Sequence, residues 1–516
     1  MTQTQFATQF PVEVELKLAL ITDHPADLEK KLCVVPLLAE CKASRQQLTL
    51  HNTYYDTPQH KLRRKHVALR LRRVESDSAT QWLQTLKIGG GGDSAFTQRG
   101  EWESPVPGSK LTLTALKATP WFDLDPQGQL FRDLAPSFVT SFERISWTVE
   151  RRGSAVEVSL DIGGITVQNR TLPLCELEIE LVQGKPSDVF EVARQITRQV
   201  AVLPEHRSKA ERGYALAEET LNSPVRAQPP LLRPKMKRGE AAQRVLREMF
   251  CQFTANFAAL RQSDDPEVLH QARVGWRRFR SAVRLFKPLL PPDSLPSWLP
   301  LNKVLELIGE SRDLDVARTE TLPGLALAYT SSDERKEDKW QSLMQTLTQA
   351  VQLKREAICN AMDSPEVGAS LLAITQWLDE LPQIANSSDV GKHADKSKVS
   401  LQRWAEKRIA HLHDQFGAAQ HGADTLEAQH RVRILAKRLR YSIEAFRPLL
   451  PKRQAKKWHE KASGVQTAIG ASRDIAQANV IIANVKANRE LVEFLRGVAV
   501  GQTTSTATTD VARGVT

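Results

Sequence analysis

The sequence is short of the features that mark secreted, metal–thiolate and membrane proteins. Its five cysteines (Cys33, Cys41, Cys175, Cys251 and Cys359) are odd in number, scattered and never spaced CxxC. That speaks against a disulfide framework or a zinc site and for reduced thiols. The first residues, MTQTQFATQFPVEVELKL, lack a basic segment followed by an apolar one, and no apolar run approaches the ~20 residues that span a bilayer. A soluble cytoplasmic protein with no membrane partner is expected. Aromatic residues make up only 6% of the chain, few for a surface that stacks nucleic-acid bases. Acidic residues are outnumbered: 71 Lys and Arg face 60 Asp and Glu in 516 residues, a formal net charge of +11. The excess favours anionic partners, whether nucleic acid, anionic lipid or free phosphate compounds, without choosing among them. The length allows two to four domains.

Residues 12–182 read mainly as strands. Val12, Val14, Leu16 and Leu18 alternate with Glu13, Glu15 and Lys17, the period of two that sends successive side chains to opposite faces. The same period recurs in Val67–Arg73, Gln81–Ile88, Trp147–Arg151, Val156–Asp161 and Cys175–Leu181, with turn signals at 89–93, 105–108, 152–154 and 163–164. A helix is expected over Asp188–Val200. Many antiparallel strands joined by short turns form a barrel or a sandwich. The Gly89–Gly92 run is no phosphate-binding P-loop, since neither GK[ST] nor a helix follows it. It reads as a hairpin turn.

The proline-rich, basic stretch SPVRAQPPLLRPKMK marks a linker at 221–237. Beyond it the period is helical, over Glu240–Leu260, Glu267–Leu285, Leu301–Arg312, Glu334–Met362, Val399–Gln415, Ala428–Phe446 and Ala455–Ala468. This half repeats itself. Residues 270–291 (HQAR to FKPLLP) align without gaps on 430–451 (HRVR to FRPLLP), and IGESRD at 308–313 aligns on IGASRD at 469–474. The two offsets, 160 and 161, differ by one residue, so a duplicated helical bundle is expected. The stretch Gln502–Thr516, rich in Thr, Ala and Val, reads as a disordered tail.

Glu13, Glu15 and Lys17 share one strand face, and Glu176, Glu178 and Glu180 share another. The first triplet alone reads as a solvated face. Together the two are clustered carboxylates, which repel one another and call for a cation. Hard divalent ions such as Mg²⁺ take such oxygen ligands along with phosphate oxygens. Neighbouring strands carry the opposite sign. Arg70 and Arg72 flank Leu71, Lys87 lies near the end of QTLKI, and Arg99 precedes the alternating pair Glu101 and Glu103. Arg144 sits in FERISW, and Lys209 and Arg212 in HRSKAERGY. Several strands that each set like charges on one face point to a closed barrel with a charged lumen. There, guanidinium forks and ammonium groups hold phosphate oxygens while carboxylates bring the metal. A long nucleic acid suits such a lumen less well, because the carboxylates repel it.

These elements resemble the CYTH, or triphosphate tunnel metalloenzyme, pattern: EVELK at Glu13–Lys17, YYDT at Tyr54–Thr57, LRLR at Leu69–Arg72, TLK at Thr85–Lys87, the Glu176–Glu180 run and SKAERG at Ser208–Gly213. The resemblance implies an eight-stranded antiparallel tunnel that hydrolyses triphosphate compounds with Mg²⁺ or Mn²⁺. It makes Glu13, Glu15, Glu176, Glu178 and Glu180 metal ligands or water-positioning groups. Lys17, Arg70, Arg72, Lys87, Arg144, Lys209 and Arg212 become phosphate-holding groups, joined by Arg99 from its strand position. Glu15, Lys17 and Lys87 are the expected catalytic set. Relatives of the tunnel that cyclise ATP or hydrolyse thiamine triphosphate are the alternative.

On the helix from Glu267, His270, Arg273, Arg277, Arg280 and Arg284 fall within an arc of roughly 80°, opposite Ala272, Trp276, Phe279, Val283 and Phe286. His430, Arg433, Lys437 and Arg440 repeat the stripe. Like charges at such spacings destabilise a helix by tenths of a kcal/mol each, so an unmixed stripe points to a polyanion site. Arg312-Asp313 and Arg473-Asp474 read as internal structural pairs. Neither histidine has a His or carboxylate at i+3 or i+4, which speaks against metal there. The pattern HxxRVxxRRxRxxxxxF at 270–286, echoed at 430–446, resembles the CHAD domain, an all-helical module often found after CYTH domains. That resemblance implies two related four-helix bundles whose basic face binds inorganic polyphosphate, in some members at polyphosphate granules.

The whole is expected to be an α+β multidomain protein. It comprises a tunnel domain over 1–220, the linker 221–237, an all-α domain over 238–500 in two repeats (about 238–390 and 397–500) and the tail 501–516. The expected activity is metal-dependent hydrolysis of inorganic triphosphate to pyrophosphate and phosphate. A non-catalytic protein binding polyphosphate or nucleic acid is the alternative of another class.

Overall fold

A computed structural model of the chain describes residues 12–513, apart from 22–23, 77–78, 90–93, 332, 388–398, 422 and 424. Most of the expected turn at 89–93 lies outside the described residues. The chain divides into two compact units: Met1–Ser223 with Pro296–Pro300 and Asp363–Asp379, and Pro224–Leu295 with Leu301–Met362 and Glu380–Thr516.

In the first unit the strands are β1 (Val12–Leu20), β2 (Gln46–Asp56), β3 (Val67–Glu75), β4 (Thr80–Ile88), β5 (Phe96–Val106), β6 (Ala135–Arg151), β7 (Ser154–Val167), β8 (Arg170–Gln183) and the short β9 (Val202–Pro204). Their order is β5-β4-β3-β2-β6-β7-β8-β1-β9, and β1 also pairs with β5, setting Glu13 opposite Arg99. That pairing closes β1–β8 into an antiparallel eight-stranded barrel, as expected, and leaves no long unpaired edge. Strand β9 only extends it beside Leu18–Leu20.

The barrel's main apolar core lies outside its wall. Leu16 and Leu18 of β1, Trp147 and Val149 of β6, Val158 and Leu160 of β7, and Leu177 and Ile179 of β8 are buried with Leu28, Leu32 and Leu37. Val189, Phe190 and Ile196 of helix α1 (Pro186–Thr197) complete that layer. A second layer covers Val67, Leu69 and Leu86 with Trp121 and Leu130. Outward burial under helices frees the alternate positions to carry charge inward. Helix α2 (Lys209–Ala217) starts at a capping box in which Ser208 accepts from the Glu211 amide and Glu211 accepts from the Ser208 amide. It buries Ala210 and Tyr214 among Tyr54, Phe138 and Ile165. Gly213 makes this possible, because a Cβ there would run into the Phe138 ring.

The second unit is helical: α3 (Arg238–Ala259), α4 (Pro266–Phe286), α5 (Asn302–Val316), α6 (Glu334–Met362), then α7 (Pro365–Ser387), whose residues through Asp379 group with the barrel, α8 (Leu401–Gln420), α9 (Leu426–Phe446), α10 (Lys452–Asn484) and α11 (Arg489–Arg513). Helix α7 was not expected from the sequence. Helix α11 continues to Arg513, where a disordered tail was expected from 501; no proline interrupts that stretch. The two repeats interleave. Phe286 of α4 meets Trp404 of α8 at 5.8 Å and Phe446 of α9 at 5.5 Å. Leu314 of α5 and Trp340, Leu343 and Leu347 of α6 share a core with Ala478 and Ile482 of α10 and Leu491 and Leu495 of α11. Each core thus draws on both repeats. No helix among the described residues is long and apolar enough to cross a membrane.

Candidate active site and anion groove

Inside the barrel is a cavity of about 320 Å³ to which all eight strands of the closed wall contribute. It is lined by Glu13 and Lys17 (β1), Tyr54 (β2), Arg70 and Arg72 (β3), Lys87 (β4), Arg99, Glu101 and Glu103 (β5), Arg144 (β6), Glu157 (β7), and Glu178 and Glu180 (β8), with Lys209 at the start of α2. Seven Lys or Arg side chains therefore face six carboxylates in one enclosed space. Three sequence-named residues, Glu15, Glu176 and Arg212, are buried but do not line the cavity. Glu15 and Glu176 share the inward strand faces and accept from the cavity-lining Lys17, Arg99 and Lys209, and Arg212 in turn donates to Glu176.

On the β1 side, Lys17 donates to Glu15 at 2.5 Å, and Arg99 also donates to Glu15. Burial alone would raise the Glu15 carboxyl, but the adjoining Lys17 and Arg99 hold it below its usual range. Glu13 accepts from Lys87 at 2.8 Å and from Arg99 at 2.8 Å. Lys87 also pairs with Glu101 at 2.8 Å, and Glu103 accepts from Thr85 at 2.7 Å beside Arg70 and Arg72. The crowding costs Arg72: burial first, then Arg70, bring its guanidinium down to about 10.

On the β8 side, Asp161, Glu176 and Glu178 bring one carboxylate oxygen each within 4.8 Å of one another. Arg144 forks onto Asp161 at 2.7 Å through both contacts and reaches Glu178 at 2.5 Å. Lys209 donates to Glu176 and, at 2.8 Å, to Glu178, while Arg212 donates to Glu176. Despite burial, Lys209 and Arg144 hold Glu178 well below the ordinary carboxylate range. Glu180 is different. Among the described residues it has no ion pair, and burial with Glu13 nearby pushes its carboxyl up to about 8. Asp161 was missed from the sequence, although Glu157, Ser159 and Asp161 alternate on one face of β7.

The second unit carries a groove of about 700 Å³. It is lined by His270, Arg273, Arg277, Arg280 and Arg284 of α4, Arg433, Lys437 and Arg438 of α9, and Arg312, Asp313, Glu320 and Asp474. Eight Lys or Arg side chains face three acids. Two expected members fall outside it: His430 is exposed, and Arg440 lies beside Glu444 at 3.5 Å. The lining on α9 runs instead through Ile434, Arg438 and Tyr441, so the true stripe is rotated from the one read by analogy with α4. Nor do Arg312 and Asp313 pair with each other. Arg312 donates to Glu320 at 2.8 Å and Asp313 accepts from Arg273 at 2.8 Å, because neighbours in sequence on a helix point about 100° apart. The side chain of Arg473 lies outside the described residues.

Residues 12–214 match the family model of the CYTH domain, and residues 244–483 that of the CHAD domain. The chain is a CYTH domain followed by a CHAD domain. An inorganic triphosphatase from Haemophilus influenzae is 31% identical over 208 residues, which cover 40% of this chain and 55% of that one. The match thus spans about half the length of that relative. Among solved structures, the CHAD domain of the plant Ricinus communis is 26% identical, covering 55% of this chain and 92% of that one with a TM-score of 0.46. A Hippeastrum protein described as an adenylyl cyclase with a dominant triphosphatase activity is 15% identical, covering 39% and 95% with a TM-score of 0.30.

Proposed function

We propose that the CYTH tunnel hydrolyses inorganic triphosphate to pyrophosphate and phosphate with Mg²⁺ or Mn²⁺, and that the CHAD groove binds inorganic polyphosphate. The observation that carries the first part is the single cavity in which seven cationic side chains from the strands and α2 meet six carboxylates. The cations suit a compact polyanion. The carboxylates would only repel it unless they also hold a cation. The all-oxygen donor set of Asp161, Glu176 and Glu178 fits a hard divalent ion, and a cation near Glu180 would favour the charged form of a carboxyl that burial and Glu13 now raise. A bound cation supplies charge neutralisation on the phosphate oxygens.

The chain's own groups do the rest. Arg70, Arg72, Lys87 and Arg99 line one side of the cavity, and Arg144 and Lys209 belong to the β6–α2 side, so a triphosphate is gripped along its length. The same cations stabilise the transferring phosphoryl group and the departing pyrophosphate. A lumen carboxylate orients the attacking water in line with the terminal phosphorus. Glu15, on the same strand face as Glu13 and Lys17, holds Lys17 and Arg99 at the cavity. Tyr54 is the one aromatic residue among those lining the cavity, and its ring is stacked on Phe138 at 4.7 Å; this supports an inorganic substrate over one carrying a base or a thiazole ring. The Haemophilus relative's name agrees with this reading.

Phosphate release from triphosphate, thiamine triphosphate and ATP, each with Mg²⁺ or Mn²⁺, tests it. Triphosphate should be turned over fastest and only with metal. Faster turnover of an organic triphosphate, or full turnover in chelator, would reject it. For the groove, eight cations against three acids support a polyanion, and occupancy would bring the protein to polyphosphate granules. Competition between polyphosphate and RNA at one fixed salt concentration checks the choice of ligand, since both bind more weakly as salt rises.

A further inference from the structure

Three carboxylates in a groove built for a polyanion are a paradox. Each adds repulsion, so each needs a compensating role. Asp313 has the clearest one. Arg273 donates to the Asp313 carboxylate at 2.8 Å and to the backbone carbonyl of Gly309 at 3.2 Å through the same nitrogen. Both acceptors are on α5, so the guanidinium of α4 is fastened to the neighbouring helix. Asp313 and Arg273 are each about a third exposed (30% and 31%), so the remaining donors of Arg273 stay open to the groove. The same arrangement recurs in the second repeat at the sequence level: Arg433, Gly470 and Asp474 stand 160 or 161 residues after Arg273, Gly309 and Asp313. Arg433 and Asp474 line the same groove. A free arginine gives up side-chain entropy when it is fixed, and a fork already fixed by a carboxylate has given it up before the ligand arrives.

We propose that Asp313 is a positioning residue of the CHAD groove: it fixes Arg273 for phosphate and thereby strengthens polyanion binding despite its own negative charge. Asp474 plays that part for Arg433. The proposal rests on the groove binding polyphosphate.

The sign of one substitution decides it. Removing a repulsive charge should tighten polyanion binding; removing a positioning group should weaken it. In the full-length protein, with long-chain inorganic polyphosphate as probe, Asp313→Ala is expected to raise Kd three- to tenfold although the groove gains a unit of net positive charge. Asp313→Asn, which keeps the accepting oxygen, should restore Kd to within about twofold of wild type. In an Arg273→Ala background Asp313→Ala should have no further effect, the signature of two residues acting as one. Turnover of triphosphate stays unchanged in all these variants, and unchanged helical circular dichroism and thermal unfolding of the variants check that the helical unit folds. Equal or tighter binding by Asp313→Ala overturns the proposal. So does a loss that persists at full size in the Arg273→Ala background, because the carboxylate then acts on the fold and not through Arg273. If Arg280→Glu with Arg284→Glu leaves polyphosphate binding intact, the groove itself is not the site, and both readings fall together.

Discussion

Lys87 sits where loss of one side chain removes charge from the cavity without emptying the wall. It pairs with Glu13 and Glu101 at 2.8 Å, but Glu13 keeps Arg99 and Glu101 keeps Arg70 when it is gone. Lys87→Ala should therefore fold normally and lose about 10²–10³ in kcat, the size of effect seen when one preorganised donor is removed from a developing negative charge. Glu15→Gln should also abolish turnover, with an added loss of stability, since Glu15 is 2% exposed and receives both Lys17 and Arg99. Full turnover by both variants at saturating Mg²⁺, with unfolding curves as controls, would remove these residues from the mechanism. His206 sets a pH limit. It is 6% exposed, and burial, with Arg207 and Lys17 also opposing its charge, lowers its imidazole to about 4. Its folded value lies below the unfolded one near 6.5, so its contribution is fully present above that pH and is lost as pH falls toward 4. The integrated effect is on the order of 3 kcal/mol. Thermal unfolding of wild type should fall through that window, and His206→Gln should flatten the fall. An unchanged slope would show that other groups set the acid limit.

At the scale of elements, what the sequence revealed depended on contrast between strand faces. Strands β1 and β8 set charge against leucine, isoleucine and valine, so both their existence and their inward face were legible. Strand β2 was not. Its residues QQLTLHNTYYD put Leu50, Asn52 and Tyr54 on one face and His51, Thr53 and Tyr55 on the other, with no polar–apolar contrast to read. In β6, only Trp147–Arg151 of the 17-residue strand was evident; farther back Val139 is exposed and Phe138 and Phe142 are buried, reversing the usual sides. The groove was missed in part for another reason. A helical wheel gives angles within one helix but not which way that helix is turned against its neighbours, so the lining of α9 falls on Ile434, Arg438 and Tyr441 and not on Arg440. Close packing between elements was also invisible. Gly213 lets α2 lie against Phe138, and that seat sets the direction of Lys209 and Arg212 toward Glu176. Gly213→Ala should destabilise the barrel by about 1–3 kcal/mol through overpacking. Activity should fall with it, because the helix start carries Lys209. A melting temperature equal to wild type would show that the Phe138 ring can yield.

For the molecule as a whole, the net charge of +11 includes two sites of different character. The tunnel is nearly balanced, seven cations to six carboxylates, and the groove is strongly positive, eight to three. A balanced, enclosed site binds through fixed geometry and is weakly screened by salt, whereas a half-open cationic surface binds by releasing counterions and weakens steeply as salt rises. The two activities should therefore separate in ionic strength. Raising salt from low to physiological levels should release long-chain polyphosphate from the groove while KM for triphosphate changes far less. Within the groove, Arg280 and Arg284 are exposed, and crowding is already visible there, since burial and then Arg284 lower the Arg280 guanidinium below its ordinary range. Reversing both to glutamate changes the local charge by four units without touching a core residue. Polyphosphate affinity should drop by at least tenfold, and the dependence of log Kd on log salt should become shallower. Triphosphate turnover should remain at the wild-type rate, because the substituted side chains belong to the groove lining and not to the tunnel's. If turnover of triphosphate fell in step with polyphosphate affinity, the groove would be part of the catalytic apparatus, and the division of the chain's charge into two independent sites would have to be abandoned.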